Sequence, residues 1–183
     1  MKTSRRSGVA SSPSRLSPAE IADRLRAQFG DDVQSADDVH GHPVVRVSPG
    51  RYQEMARFLR DEPDLGFNYF DFLTGVDYTP KGGGYEVVVH LYSTRNNLNV
   101  RLKVECAPEE PHCPTLSGIW PGADWHEREA AELFGIVFDG HPHLVKLLLP
   151  EQFEGHPLRK DFALMTREAK PWPGAVEGEE IEE

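Results

Sequence analysis

Residues 98–105 alternate without a break. Leu98, Val100, Leu102 and Val104 are apolar, and Asn99, Arg101, Lys103 and Glu105 between them are polar. Only a strand with one dry and one wet face reads this way, because successive side chains point to opposite sides of a sheet. The dry face must be covered by other elements of the chain, and the upstream sequence supplies them. Ser17-Pro18-Ala19-Glu20 has the form of a capping box with proline in the first turn, and Ile21, Ala22, Leu25 and Phe29 follow at helical spacing up to Gly30. A second amphipathic helix is expected from about Tyr52 to Arg60, with Tyr52, Met55, Phe58 and Leu59 on one face and Glu62-Pro63 as its stop.

Three more strands are expected: a short one at Val44–Val47, an aromatic-rich one at Phe67–Tyr78, and Tyr85–Tyr92 beyond a hairpin tip at Lys81–Gly84. The expected fold is α+β: helix-strand-helix, then a mostly antiparallel meander of strands, with an extended C-terminal segment that is either disordered or laid across a partner.

The texture changes after residue 106. Prolines 108, 111 and 114 break the chain, Thr115–Ile119 suggests a short helix, and Asp124–Phe134 reads as a helix with Asp124 as N-cap and Glu127 closing a capping box. From Gly135 the chain reads as extended and rich in Pro and Gly. The expected organisation is a disordered basic leader at 1–17, an α+β domain at 18–106, a helix and extended partner-binding segment at 107–163, and an acidic tail at 164–183. Five of the last seven residues are Glu, which marks a solvated end.

Composition excludes several functions. A formal net charge of -10 argues against nucleic acid as a partner. No apolar run approaches the ~18 residues of a membrane helix, and Arg5-Arg6 is not followed by the apolar stretch of an export signal. The chain reads as soluble and cytoplasmic. Two cysteines, Cys106 and Cys113, are too few for an iron–sulfur cluster or a cysteine-built zinc site. Their spacing suggests two unrelated reduced thiols.

The motif-like segments fail on inspection. His126-Glu127-Arg128-Glu129-Ala130 lacks the second histidine of a zinc-protease helix. His42, His141 and His156 each sit in Gly-His-Pro, and His141, His143 and His156 are conceivable metal ligands, but Gly and Pro flanks suit locally bonded or interface histidines better. Gly82-Gly83-Gly84 has no phosphate-loop context, and no nucleophile elbow or dinucleotide fingerprint occurs. On the helical wheel Glu127 shares a face with Ala130, Leu133 and Phe134, whereas Arg128, Glu129 and Glu132 lie on the other side. Leu144, Leu147, Leu148 and Leu149 followed by Arg159-Lys160-Asp161 have the character of a binding strip with apolar anchors and charges.

Read in order, Glu127-Arg128-Glu129-Ala130-Ala131-Glu132-Leu133-Phe134-Gly135-Ile136, Phe138-Asp139-Gly140-His141-Pro142, Leu147-Leu148-Leu149-Pro150 and Gly155-His156-Pro157-Leu158-Arg159-Lys160-Asp161 resemble the signature region of component C of NADH-quinone oxidoreductase (respiratory complex I), the 30 kDa subunit family. The resemblance spans about 125–162, and the stretch 18–106 fits the family's N-terminal domain. Departures are Val145 where a basic residue is usual, Glu132 where Asp is common, and Phe162-Ala163 where Tyr-Pro follows the Arg-Lys-Asp triplet.

The resemblance implies a structural subunit of the hydrophilic arm of a proton-translocating enzyme, peripheral on the cytoplasmic side of the bacterial cell membrane. It implies partners in the same complex: component D, which is hydrogenase-large-subunit-like and which the extended C-terminal segment wraps as its partner subunit, component B, and other subunits of the hydrophilic arm. It implies no cofactor in this chain, with FMN, iron–sulfur clusters, NADH and a quinone on other subunits, and no catalytic residue here. The partner interface it suggests comprises Glu127, Arg128, Glu129, Phe134, His141, Lys146, His156, Arg159, Lys160 and Asp161. The equivalent subunit of a membrane-bound hydrogenase or another non-NADH quinone oxidoreductase is the alternative. A free-standing hydrolase would need a catalytic constellation that the sequence does not offer.

Overall fold

A computed structural model describes residues 16–163. The expected basic leader, up to residue 15, and the acidic tail at 164–183 lie outside the described residues. The elements run α1 (Pro18–Phe29), β1 (Val33–Val39), β2 (His42–Val47), α2 (Tyr52–Asp61), β3 (Tyr69–Asp77), β4 (Tyr85–Ser93), β5 (Leu98–Cys106), β6 (His112–Pro114), α3 (Ala123–Phe134) and β7 (Val137–Asp139). Five strands form one sheet in the order β1-β2-β5-β4-β3. The β2–β5 pair is parallel and the other three pairs are antiparallel. β6 and β7 form a separate parallel pair.

The alternation of β5 does what its pattern demands. Leu98, Val100, Leu102 and Val104 enter one core with Val87, Val89 and Leu91 of β4. Ile21, Leu25 and Phe29 of α1 cover it, with Tyr52, Met55 and Leu59 of α2. Ser17 caps α1 through both halves of the capping box. α3 joins the same core through Ala123, Ala130 and Phe134. Its close approach to β3 requires Gly75, where a Cβ would meet the Phe134 ring at 2.7 Å.

Three expectations are corrected. β1 is an additional strand, paired to β2 across a two-residue turn in which His40 and Gly41 both have positive φ, the conformation of tight hairpins. As an edge strand it buries only Val33. Residues 117–119 form a turn instead of a helix. α3 starts one residue before Asp124, its N-cap position is Gly122, and no side chain caps it. The capping box expected of Asp124 and Glu127 does not form, because the Glu127 carboxylate faces inward to donors from another segment.

Candidate partner-binding strap

The chain beyond α3 lies across its own domain as a strap, and α3 supplies most of the groups that pin it. Glu127 is wholly buried. It accepts the Thr115 hydroxyl and, at 2.5 Å, the Leu116 backbone N–H. Burial pushes its carboxyl up to about 7, two donors pull it back, and the nearby Asp124 charge adds to the rise. The buried His141 ring sits beside this group. Its Nε2 lies 3.0 Å from the Asp124 carboxylate and 3.9 Å from that of Glu127. Its Nδ1 accepts the His143 backbone N–H at 3.1 Å, which leaves the ring proton on Nε2.

Glu132, one and a half turns further on, grips the strap directly. Its carboxylate accepts the backbone N–H groups of Leu147, Leu148 and Leu149 at 3.0, 2.8 and 2.6 Å. Burial would raise this carboxyl, but the three amides and Lys146 hold it below the usual range. Arg128 donates to the carbonyls of Val145 and Lys146 and stacks over Trp125 at 5.7 Å. Lys146 donates to the Pro150, Glu151 and Phe153 carbonyls and so closes a loop within the strap.

Further along, the Leu158 N–H donates to the Leu133 carbonyl. His156 Nδ1 lies 2.8 Å from the Glu132 carbonyl and donates to it. Arg159 donates from Nε to the Phe134 carbonyl at 2.6 Å and lies 5.1 Å over the Tyr85 ring. The Lys160 N–H donates to Asp77 at 2.7 Å. The bonds from Leu158, His156 and Arg159 satisfy the last carbonyls of α3, which a helix leaves open.

The ten residues expected at a partner interface therefore divide. Glu127, Phe134 and the His141 ring are inside this chain. His156 and Arg159 bind its own helix end. Arg128 and Glu129 are half-buried, and Lys146, Lys160 and Asp161 reach the surface. What the strap and the start of α3 do present is apolar: Trp125 is 62% exposed and Leu148 61%, with Val137, Val145 and Leu158 also exposed. Trp125 is absent from the ten, although a tryptophan in the first turn of a charged helix is a usable signal.

Cys106 and Cys113 are both buried and reduced, and they meet: Cys106 is held below the usual thiol range by the Cys113 thiol, while burial pushes Cys113 well up. Their separation in sequence gives no hint of this. Among the described residues no group of three or more His, Cys, Asp or Glu is placed to hold a metal, and no helix is long and apolar enough to cross a membrane.

Residues 45–168 match the family described as Respiratory-chain NADH dehydrogenase, 30 Kd subunit. The chain belongs to this family. Among relatives of the 30 kDa subunit, component C of the NADH-quinone oxidoreductase of Roseiflexus sp. (strain RS-1) is 46% identical over 153 residues, covering 84% of this chain and 88% of the relative. The trypsin-resistant fragment (1-134) of Nqo5 superposes with a TM-score of 0.57 at 29% identity, over 69% of this chain and 98% of the fragment. A chain of the membrane-bound sulfane sulfur reductase (MBS), an archaeal respiratory membrane complex, gives a TM-score of 0.69 at 23% identity, over 80% of this chain and 86% of that one. That second likeness shows the fold alone. The relatives by sequence are subunits of the NADH-quinone oxidoreductase complex.

Proposed function

We propose that this 30 kDa subunit is a non-catalytic, structural component of the hydrophilic arm of a proton-translocating NADH:quinone oxidoreductase. It docks on the hydrogenase-like component D, beside component B, and stabilises the quinone site from outside. FMN, iron–sulfur clusters, NADH and quinone belong to other subunits, and the chain is peripheral on the cytoplasmic side of the membrane.

The observation that carries this reading is the strap. Its backbone is tied to α3, yet Trp125, Val145, Leu148 and Leu158 project outward beside Arg128 and Lys146. Exposed apolar anchors framed by cations are the ordinary make-up of a binding surface. The buried carboxylates support the same reading. Glu127 is closed in by Thr115, Leu116 and His141, so it faces protein groups and not a cleft that a substrate could enter.

A subunit of a non-NADH complex is the rival. The fold likeness to the sulfane sulfur reductase is compatible with it, but the more similar relatives carry the NADH-quinone name. Affinity purification of the chain from native membranes tests the reading. Components D and B are expected to co-purify, along with flavin- and NADH-binding chains. A chain recovered alone, or with a different electron-input module, overturns it. Replacing Trp125 and Leu148 by Ala should reduce co-purification while the isolated chain keeps its melting temperature.

A further inference from the structure

The sheet has a second face, opposite the core, and neither the helices nor the strap uses it. Strand register runs one row across it, Asp37, Val44, Arg101, His90 and Phe72, with His42 and Val39 as a neighbouring pair. Val39 is opposite His42, Val44 is opposite Arg101, Arg101 is opposite His90, and His90 is opposite Phe72. Paired positions share a face, as do positions two apart on a strand, so Phe72, His90, Arg101, Val44, His42 and Val39 form one stripe, and the exposed Asp37, opposite Val44, ends the row on β1. Phe72 stacks on His90 at 5.6 Å and 24°, and His42 meets His90 edge-on at 6.4 Å and 78°. Rings from β2 and β4 thus meet over β5, where Arg101 stands.

The other fixed cations of this face are paired. Arg46 bridges to Glu86 and Glu105, and Lys103 bridges to Glu86. Asp71, displaced by a bulge in β3, is bound by His90 Nδ1 at 2.8 Å. Arg101 has no ion-pair partner among the described residues. Its Nε is buried without a hydrogen bond, and so is His42 Nδ1. Only one other buried side-chain polar atom among the described residues, the Tyr52 hydroxyl, shares that condition. Two such deficits on one stripe are unusual, because buried polar groups normally find a partner. Val44 and Val88 lie on the same face and are buried, yet neither belongs to the main core.

A guanidinium framed by flat rings and branched apolar side chains is suited to a carboxylate, which takes two parallel N–H donors in one plane. We propose that this stripe is a second docking surface and that it receives an acidic side chain, Asp or Glu, from a neighbouring subunit. The occupant is named by complementarity: Arg101 is the one fixed cation of this face without an ion pair among the described residues, and Asp37, exposed two strands away in the same row, makes none with it. The inference rests on the reading of this chain as a subunit of a complex, but it concerns the face away from α3 and the strap.

The test is a photo-crosslinker at the exposed end of the stripe, Val39→p-benzoylphenylalanine, in the chain purified with its complex from native membranes. A crosslink to a peptide of another subunit that contains Asp or Glu is expected. Adding Arg101→Gln should lower its yield roughly tenfold or more, as loss of a buried charge pair would, and Arg101→Lys should fall between. The isolated Arg101→Gln chain should melt as the wild type does, and the strap should still hold the variant in the complex. A chain that co-purifies but gives no inter-subunit crosslink overturns the inference, as does a crosslink to residues 164–183 of its own tail or a yield indifferent to Arg101→Gln. A chain that co-purifies with no other subunit overturns the proposed function first, and this inference with it.

Discussion

Glu127 and Glu132 are both buried on α3, yet their carboxyls are displaced in opposite directions. Glu127 is pushed up to about 7 by burial, which two donors do not offset. Glu132 is held below the usual range because three strap amides converge on it. One helix therefore carries an acid that resists ionisation at its core end and a carboxylate that resists protonation under the strap.

Removing the Glu132 carboxylate should release the strap. Glu132→Ala leaves the amides of Leu147, Leu148 and Leu149 without an acceptor, at a cost of about 2–3 kcal/mol for hydrogen bonds to a charged group. Faster amide exchange at 147–149 is expected, with faster proteolysis nearby. A depressed carboxyl contributes stability above its unfolded value of 4.5 and loses it as pH falls through the folded value. The strap should thus loosen in acid before the sheet does. Unchanged exchange in Glu132→Ala would mean that Lys146 and His156 suffice to hold it.

Glu127 should tilt stability the other way. Its raised folded value means that the folded state holds a proton the unfolded chain has given up, so its contribution is complete below 4.5 and is lost as pH rises through about 7. The loss amounts to at most about 3 kcal/mol. Glu127→Gln, which is neutral and nearly isosteric, should flatten this part of the profile. Chemical denaturation at pH 5 and pH 8 is the measurement, and equal slopes in both proteins would show that Glu127 does not titrate in this range.

The sheet is legible in the sequence because β4 and β5 are long, β5 alternates cleanly, and both amphipathic helices end at Gly or Pro. β1 is not, because an edge strand that buries only Val33 reads as a polar loop. Glu127 misleads for a different reason. A carboxylate three residues after an Asp fits a local cap as well as it fits a distant donor, and only the fold brings Thr115 and Leu116 to it. The grip of Glu132 on residues 147–149 and the bond of Asp77 to Lys160 are likewise long-range, and no local pattern announces them.

Gly135 should tolerate no side chain. It ends α3 with φ +75, and an added Cβ would meet His156 Nε2 at 2.7 Å and the Arg159 guanidinium closer still. Left-handed backbone disfavours L side chains by about 1–2 kcal/mol, and here the neighbours pinning the strap must move as well. Gly135→Ala should lower the melting temperature and raise exchange at Arg159 and Lys160. Loss of stability without strap exchange would confine the effect to the helix end.

Arg159 invites reading as a partner cation, since it stands in an exposed-looking Leu-Arg-Lys-Asp run. Its position argues for an internal role. Its Nε donates to the Phe134 carbonyl, one of the groups a helix end leaves open, and its guanidinium lies over Tyr85. Arg159→Ala removes both contacts and should destabilise the isolated chain by about 1–3 kcal/mol, the range for a hydrogen bond from a charged donor with a desolvated cation–π contact. Arg159→Lys keeps the charge but loses the planar stack and the fixed fork, so it should recover only part of this. Co-purification with the complex should fall in step with melting temperature across the two variants. Lys160→Ala is the contrast: its side chain is exposed while its backbone N–H makes the bond to Asp77, so the isolated chain should be unaffected. If Arg159→Ala leaves the melting temperature intact and abolishes co-purification, Arg159 belongs to the interface after all, and its bond to Phe134 is incidental.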